Sequence, residues 1–196
     1  MKKLLLLALL LPAVRAEAQS WKDLLTKIAA TAADDLTDGQ LTRYALTGTW
    51  NYTAPGVKFE SEDLASELSG AALQTSIAEK LESAYRIAGI RSGACSFAFE
   101  KDDTFTATFG TKKLGGTYEF DPSTHRIALC FAKGTYNLGT VEGHAYVSGT
   151  DLQLVFPVTK LVKLISALGS KIASLATIAK LLESYENVYI GFEFTK

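Results

Sequence analysis

From Cys95 to Val158 the chain alternates apolar and polar residues in short runs separated by tight turns. Such alternation is the mark of strands with one buried face. Ser96–Glu100 places Phe97 and Phe99 on one face, and Thr104–Phe109 repeats the pattern with strand-favouring Thr and Phe. Thr117–Phe120, Arg126–Phe131, Thr140–Val147 and Leu152–Phe156 follow. Lys101-Asp102-Asp103 and Ser148–Asp151 are polar turns, and Asp121-Pro122-Ser123 opens a type I turn. Gly110–Gly116 reads as a longer turn with Lys112-Lys113 at its tip and Gly115-Gly116 as a hairpin device. Connections this short force antiparallel neighbours, since a parallel crossover needs a dozen or more residues. One further strand at Leu46–Thr53 opens the sheet and another at Asn187–Thr195 closes it. The expectation is a mainly β fold with α+β content: an eight-stranded antiparallel up-and-down barrel with three flanking amphipathic helical segments.

Residues 1–18 have the pattern of a secretory signal. Lys2-Lys3 is the charged start, Leu4–Leu11 the apolar stretch, and Ala16-Glu17-Ala18 a small-x-small cleavage site after Ala18. The apolar stretch is too short for a transmembrane helix. Export to a periplasm or beyond is the expectation. Loss of Lys2, Lys3, Arg15 and Glu17 with this segment shifts the formal net charge from −1 to −3, which argues against nucleic acid as a partner. Residues 19–196 contain no low-complexity linker, charge block or repeat and suit one domain.

Three stretches show helical spacing. Trp21, Leu24, Leu25, Ile28, Ala32 and Leu36 form one apolar stripe after Ser20. Asp34, Asp35 and Asp38 at its end are either a solvated helix terminus or a weak cation site lacking the glycine-bearing calcium loop. The second stretch, about 60–89, carries Leu73, Ile77, Leu81, Ala84, Tyr85 and Ala88 and stops at Gly89. It reads either as a lid or as a helix covering apolar barrel surface. The third, 158–185, is broadly apolar but interrupted by Lys160, Lys163, Lys171 and Lys180, which rules out an ordinary bilayer span. Packing on the barrel is the expectation for it. Contact of the 160–182 helix with a protein partner or a membrane surface is the alternative.

Gly48-x-Trp50 lies just after a helical segment and opens the antiparallel sheet. Here the chain resembles the lipocalins, whose first strand carries this signature with the Trp plugging the closed barrel end. That gives Gly48 and Trp50 a structural role. The last strand offers Lys196 at its end, and no Arg, to stack on Trp50. The whole chain, signal included, resembles a lipocalin-like family of uncharacterised secreted proteins of Bacteroidetes. That family has no assigned activity, so the resemblance implies no functional residues.

The chemistry-bearing residues are few. Cys95 shares a face with Phe97, whereas Cys130 alternates against Ile127, Leu129 and Phe131, so two free thiols are expected in preference to a disulfide. Asp121, Ser123 and His125 lie close in sequence but read as turn formers. No His or Cys set has metal-ligand spacing and no phosphate loop is present, so no cofactor is expected. Glu142, His144 and Tyr146 share one strand face, which either points inward as a titratable cavity wall or points outward into solvent, the side favoured by burial of Val141 and Val147.

Three functions remain open. The expectation is binding of a small apolar or amphipathic molecule inside the barrel, with Phe97, Phe99, Phe105, Ala107, Ile127, Leu129, Gly143 and Ala145 as the cavity wall. Small residues there (Ala98, Ala107, Gly143, Ala145) favour a void, and on this reading Ala145→Trp blocks uptake without harming the fold. The alternative is an envelope-associated structural or interaction protein with a filled barrel. An enzyme using Glu142, His144 and Tyr146 is the least favoured, and no catalytic residue is assigned.

Overall fold

The computed structural model describes residues 44–60, 68–121, 123–132, 138–168, 179–180, 182 and 188–196. The elements run β1 (Gly48–Phe59), α1 (Leu68–Ile87), β2 (Cys95–Phe99), β3 (Thr104–Phe109), β4 (Lys112–Asp121), β5 (Arg126–Phe131), β6 (Thr140–Ser148), β7 (Asp151–Pro157), α2 (Val158–Ala167) and β8 (Val188–Thr195). All pairings are antiparallel and follow chain order, and β1 also pairs with β8, so the sheet returns on itself through its first strand. Residues 1–43, including the signal segment and the Trp21–Leu36 stripe, lie outside the described residues.

β1 serves two edges in succession. Gly48–Asn51 pairs with β2, and Asn51–Phe59 pairs with β8, with a register shift between Tyr52 and Ala54. The expected strand stops at Thr53, whereas β1 runs on through Pro55-Gly56 to Phe59. Proline is tolerated where one side of a strand makes no ladder bonds, and the second half of β1 has β8 on one side and α1 against it on the other. Gln74 Nε2 of α1 donates to the Val57 carbonyl at 3.1 Å.

α1 is part of the core. Ile77, Leu81, Ala84 and Tyr85 of the expected stripe are completely buried. Tyr85 donates its hydroxyl to the Gly191 carbonyl at 2.9 Å, and its ring lies 5.2 Å from Phe192 and 6.3 Å from Tyr52. α2 starts directly after β7, with Pro157 as its N-cap, and buries Leu161, Leu164 and Ile165. The apolar face of this described helix is spent on the barrel. The rest of the 158–185 stretch, like most of the 160–182 partner face, lies largely outside the described residues. Among the described residues no helix is long and apolar enough to cross a membrane, which says nothing of strands.

Two strand boundaries change the picture further. Lys112–Gly116 is the first half of β4 and not a turn. A Cβ on Gly116 would lie 2.0 Å from the Cys130 carbonyl oxygen, so this glycine lets β4 coil tightly onto β5. The turn itself is confined to Gly110 and Thr111, with Gly110 at φ 61°.

The interior is solid. The Phe97 ring meets Phe99 (5.9 Å), Phe105 (6.1 Å), Phe109 (5.7 Å) and Phe194 (5.6 Å). Phe192 meets Tyr52, Tyr85, Phe109, Phe156 and Phe194. Centroid spacings of this size are normal for packed aromatic pairs. Phe97, Phe99, Phe105, Ala107, Ile127, Leu129 and Ala145 are all buried to 1 % exposure or less. They are the filling of the barrel and not the wall of a void. A Cβ on Gly143 would lie 2.4 Å from the Val155 carbonyl and 2.5 Å from Phe156, so even this glycine opens no space. Ala98 is in register with Thr49 and Thr106 on the other face. The expected fold is corrected accordingly. The eight antiparallel strands in chain order stand as expected; what is corrected is the ligand-holding interior and the flanking role of the second helical segment, since the enclosed side is packed with rings and α1 belongs to the core. The physical reason is side-chain size: an eight-stranded enclosure is just wide enough for side chains to fill, and here the inner positions carry contacting rings of Phe97, Phe99, Phe105, Phe109, Phe192 and Phe194.

Trp50 closes the end where the strand begins. It is fully buried, and its Nε1 donates to the Leu46 carbonyl at 2.7 Å. Lys196 Nζ sits 4.3 Å from the Trp50 ring and donates to the carbonyls of Ala45 (2.7 Å) and Thr47 (3.0 Å). Gly48 has φ 125°, and a Cβ there would press on Lys196 Cε at 3.3 Å. The last residue thus pins the segment leading into β1. Lys196→Met is expected to cost about 0.5–1 kcal/mol, the size of an exposed cation–π contact. A urea titration would show this as a lower midpoint with an unchanged slope.

Candidate functional site on the outer wall

The densest gathering of polar and titratable groups lies outside the barrel, across β1, β8, β7, β6 and β5. Strand parity turns Glu142, His144 and Tyr146 outward, opposite the buried Val141, Gly143 and Ala145. His144 is in register with Arg126 on β5 and Val155 on β7, and Val155 in turn with Gly191 on β8. Val155 and Gly191 are both buried in this rung. Lys58 and Tyr189, themselves in register, reach over it towards β6.

The contacts are close. Lys58 Nζ lies 3.7 Å from the centre of the Tyr146 ring. His144 meets Tyr189 edge-on at 4.9 Å and Tyr146 at 6.1 Å. His125, in a left-handed turn conformation at φ 54°, lies 5.0 Å from Tyr146. His144 Nδ1 is 3.9 Å from Glu60 Oε1, just beyond the end of β1, and the Tyr189 hydroxyl bonds the same carboxylate. Arg126 and Glu142 pair at 3.6 Å, with both side chains more than half exposed. A pair that exposed contributes little to stability.

Burial sets the protonation states. It lowers the pKa of His144; the Glu60 carboxylate opposes this, while Arg126, Lys58 and His125 add to it. Burial pushes the Tyr146 hydroxyl up to about 12, with Glu60 and Tyr189 acting in the same direction. Tyr189 is raised as well, first by burial and then by Glu60. Near neutrality the site therefore presents two protonated phenols and a neutral imidazole. Hydroxyl donors, flat apolar faces and a rim of opposite charges suit recognition of a polar partner. Among the described residues no cluster of His, Cys, Asp or Glu has the arrangement of a metal site.

Other residues singled out in the sequence stand apart. Asp121 accepts from the Ser123 amide (3.0 Å), Ser123 Oγ (2.7 Å) and Thr124 Oγ1 (2.8 Å), which holds its carboxyl below the usual range. Asp121 and Ser123 are turn formers, and no triad assembles with His125. Cys95 and Cys130 are both free thiols. Among the described residues the surface carries open depressions. One of about 360 Å³ lies between α1 and β1, with Glu79, Glu82 and Glu193 at its sides. Another, of about 310 Å³, adjoins Arg126 and Glu142.

Lys58, Glu60, His125, Arg126 and Tyr189 belong to the site and were not anticipated. Lys58 and Glu60 were hidden because the first strand was ended too early. Had β1 been extended past Gly56, the alternation of Val57 and Phe59 against Lys58 and Glu60 would have put both charges outside. Nothing in the sequence links Tyr189 to His144, because that contact depends on how four strands twist.

The family model for the lipocalin-like domain DUF4923 matches residues 21–196. A solved structure of a DUF4847 family protein from Bacteroides vulgatus ATCC 8482 is similar at 17 % identity, covering 76 % of this chain and 92 % of that one, with a TM-score of 0.36. No curated protein matches the sequence. With the family model spanning nearly all of the chain, the protein belongs to the lipocalin-like domain family DUF4923.

Proposed function

We propose that this protein is an exported interaction module that works through the outer wall around His144, Tyr146 and Tyr189, by binding and not by catalysis. The observation that carries this reading is the placement of bulk and chemistry. The enclosed side of the sheet is taken up by interlocked rings, which overturns the expectation of a ligand held there. Both histidines, two tyrosines and two cations gather on the other face. Binding is favoured over chemistry because burial holds the Tyr146 and Tyr189 phenols protonated, as hydroxyl donors. Export rests on the pattern of residues 1–18.

The test is site-directed photo-crosslinking in the producing cell. A crosslinking residue replaces Glu142, in the wall, or Thr106, exposed on β3, in parallel cultures. The expected result is a discrete adduct from position 142 that is absent from position 106 and disappears with Tyr189→Ser. Identical adduct patterns at both positions, or none at 142, would remove the outer wall as the working surface.

A further inference from the structure

We propose that His144 and Glu60 form a proton-operated coupling between the middle of β6 and the point where the chain leaves β1, so that acidification moves the end of β1 on the outer wall. The inference concerns the fold's own response to pH; only its use in regulating a partner rests on the proposed function.

The geometry is specific. The His144 side chain is 14 % exposed, and its Nδ1 makes no hydrogen bond. Glu60 Oε1 is 3.9 Å away, too far for a hydrogen bond but near enough to become one with a small movement. Among the described residues the charged and titratable groups around the imidazole come from every packed element. Glu60 and Lys58 belong to β1 or its end, His125 and Arg126 to β5 or the turn before it, Tyr146 and Glu142 to β6, and Tyr189 to β8. Glu60 is the carboxylate that faces Nδ1.

Adding a proton at Nδ1 places a positive charge among Lys58, Arg126 and His125, and approach of Glu60, the carboxylate whose charge already favours that proton, relieves it. Glu60 already holds the Tyr189 hydroxyl. Closing the gap to His144 therefore draws both the β1 exit and the Tyr189 side chain towards β6. Because burial favours the neutral imidazole in the fold, the unfolded chain takes up this proton at higher pH than the native one. The stability contributed by neutral His144 is present above the free imidazole value near 6.5 and is lost as pH falls from there towards the folded value.

The experiment is an NMR titration of the full mature chain. The His144 ring is expected to titrate below a free imidazole, and the backbone amides of Lys58, Phe59, Glu60 and Tyr189 are expected to shift with the same midpoint. Glu60→Gln should lower the His144 midpoint further and abolish the linked shifts at 58–60. His144→Gln, checked for fold by its amide spectrum, should leave those amides flat and remove part of the pH dependence of unfolding below 6.5. A His144 midpoint untouched by Glu60→Gln, or amides at 58–60 that do not follow His144, would overturn the coupling. Either result leaves the crosslinking test of the outer wall unaffected, so the two ideas fail separately.

Discussion

Ala145→Trp is expected to destabilise the protein by at least about 3 kcal/mol, the upper end of ordinary overpacking costs. A hollow barrel would accept the indole as a plug. Here Ala145 is completely buried and in register with Leu154, which is completely buried too. An indole has no rotamer that avoids that filling, so strands must part to admit it. Urea denaturation of the variant, followed by tryptophan fluorescence and far-UV circular dichroism, would show a midpoint far below that of the parent or no folded baseline. A variant as stable as the parent would mean that space exists beside Ala145 and that the solid interior is wrong.

Phe97→Ala should be about as damaging, at about 3–5 kcal/mol, for the opposite reason. The ring is fully buried and touches four other phenylalanines drawn from β2, β3 and β8. Truncation removes its transfer energy and leaves a hole that rigid neighbours close only in part. A hole lined by aromatic edges stays dry and admits a small apolar guest. Xenon or benzene should therefore raise the melting temperature of the variant and leave the parent unmoved. Stabilisation of the parent by the same guests would show that a cavity is present without any mutation. The pair of substitutions brackets the packing from both sides: one adds volume where none is free, and the other creates the volume that the native barrel lacks.

How far the sequence is legible follows from the range of the interactions involved. Thr104–Phe109 and Arg126–Phe131 form at the residues where their alternation places them, because period-two patterning and the adjoining turns are local. That Glu142, His144 and Tyr146 share a face is legible for the same reason, since parity along one strand needs no knowledge of its neighbours; that this face is the outer one is decided by the structure. The stripe from Ile77 to Tyr85 was legible as a helix face, but whether it covered a lid or entered a core was not. Misreadings concentrate at glycine and proline. Gly115-Gly116 looks like a turn and is a strand with a close backbone approach; the expected first strand stops at Thr53, and β1 runs on through Pro55-Gly56. Both residue types punctuate and both permit close contact, and one chain read alone does not separate the two uses.

Strand order and the grouping of side chains on the two faces of each strand were set by local pattern, which each segment carries by itself, while the place of Trp50 followed from the resemblance to the lipocalins. The filled interior was set by tertiary structure, because whether Phe97, Phe109, Phe192 and Phe194 meet depends on strand tilt and summed volume. So was the outer-wall site. Lys58, Glu60, His144 and Tyr189 come together because β1 continues past Gly56 alongside β8, one rung of buried Val155 and Gly191 away from His144. Side-chain convergence across several strands is a property of twist and neighbour size, and neither is written in the periodicity of any one strand.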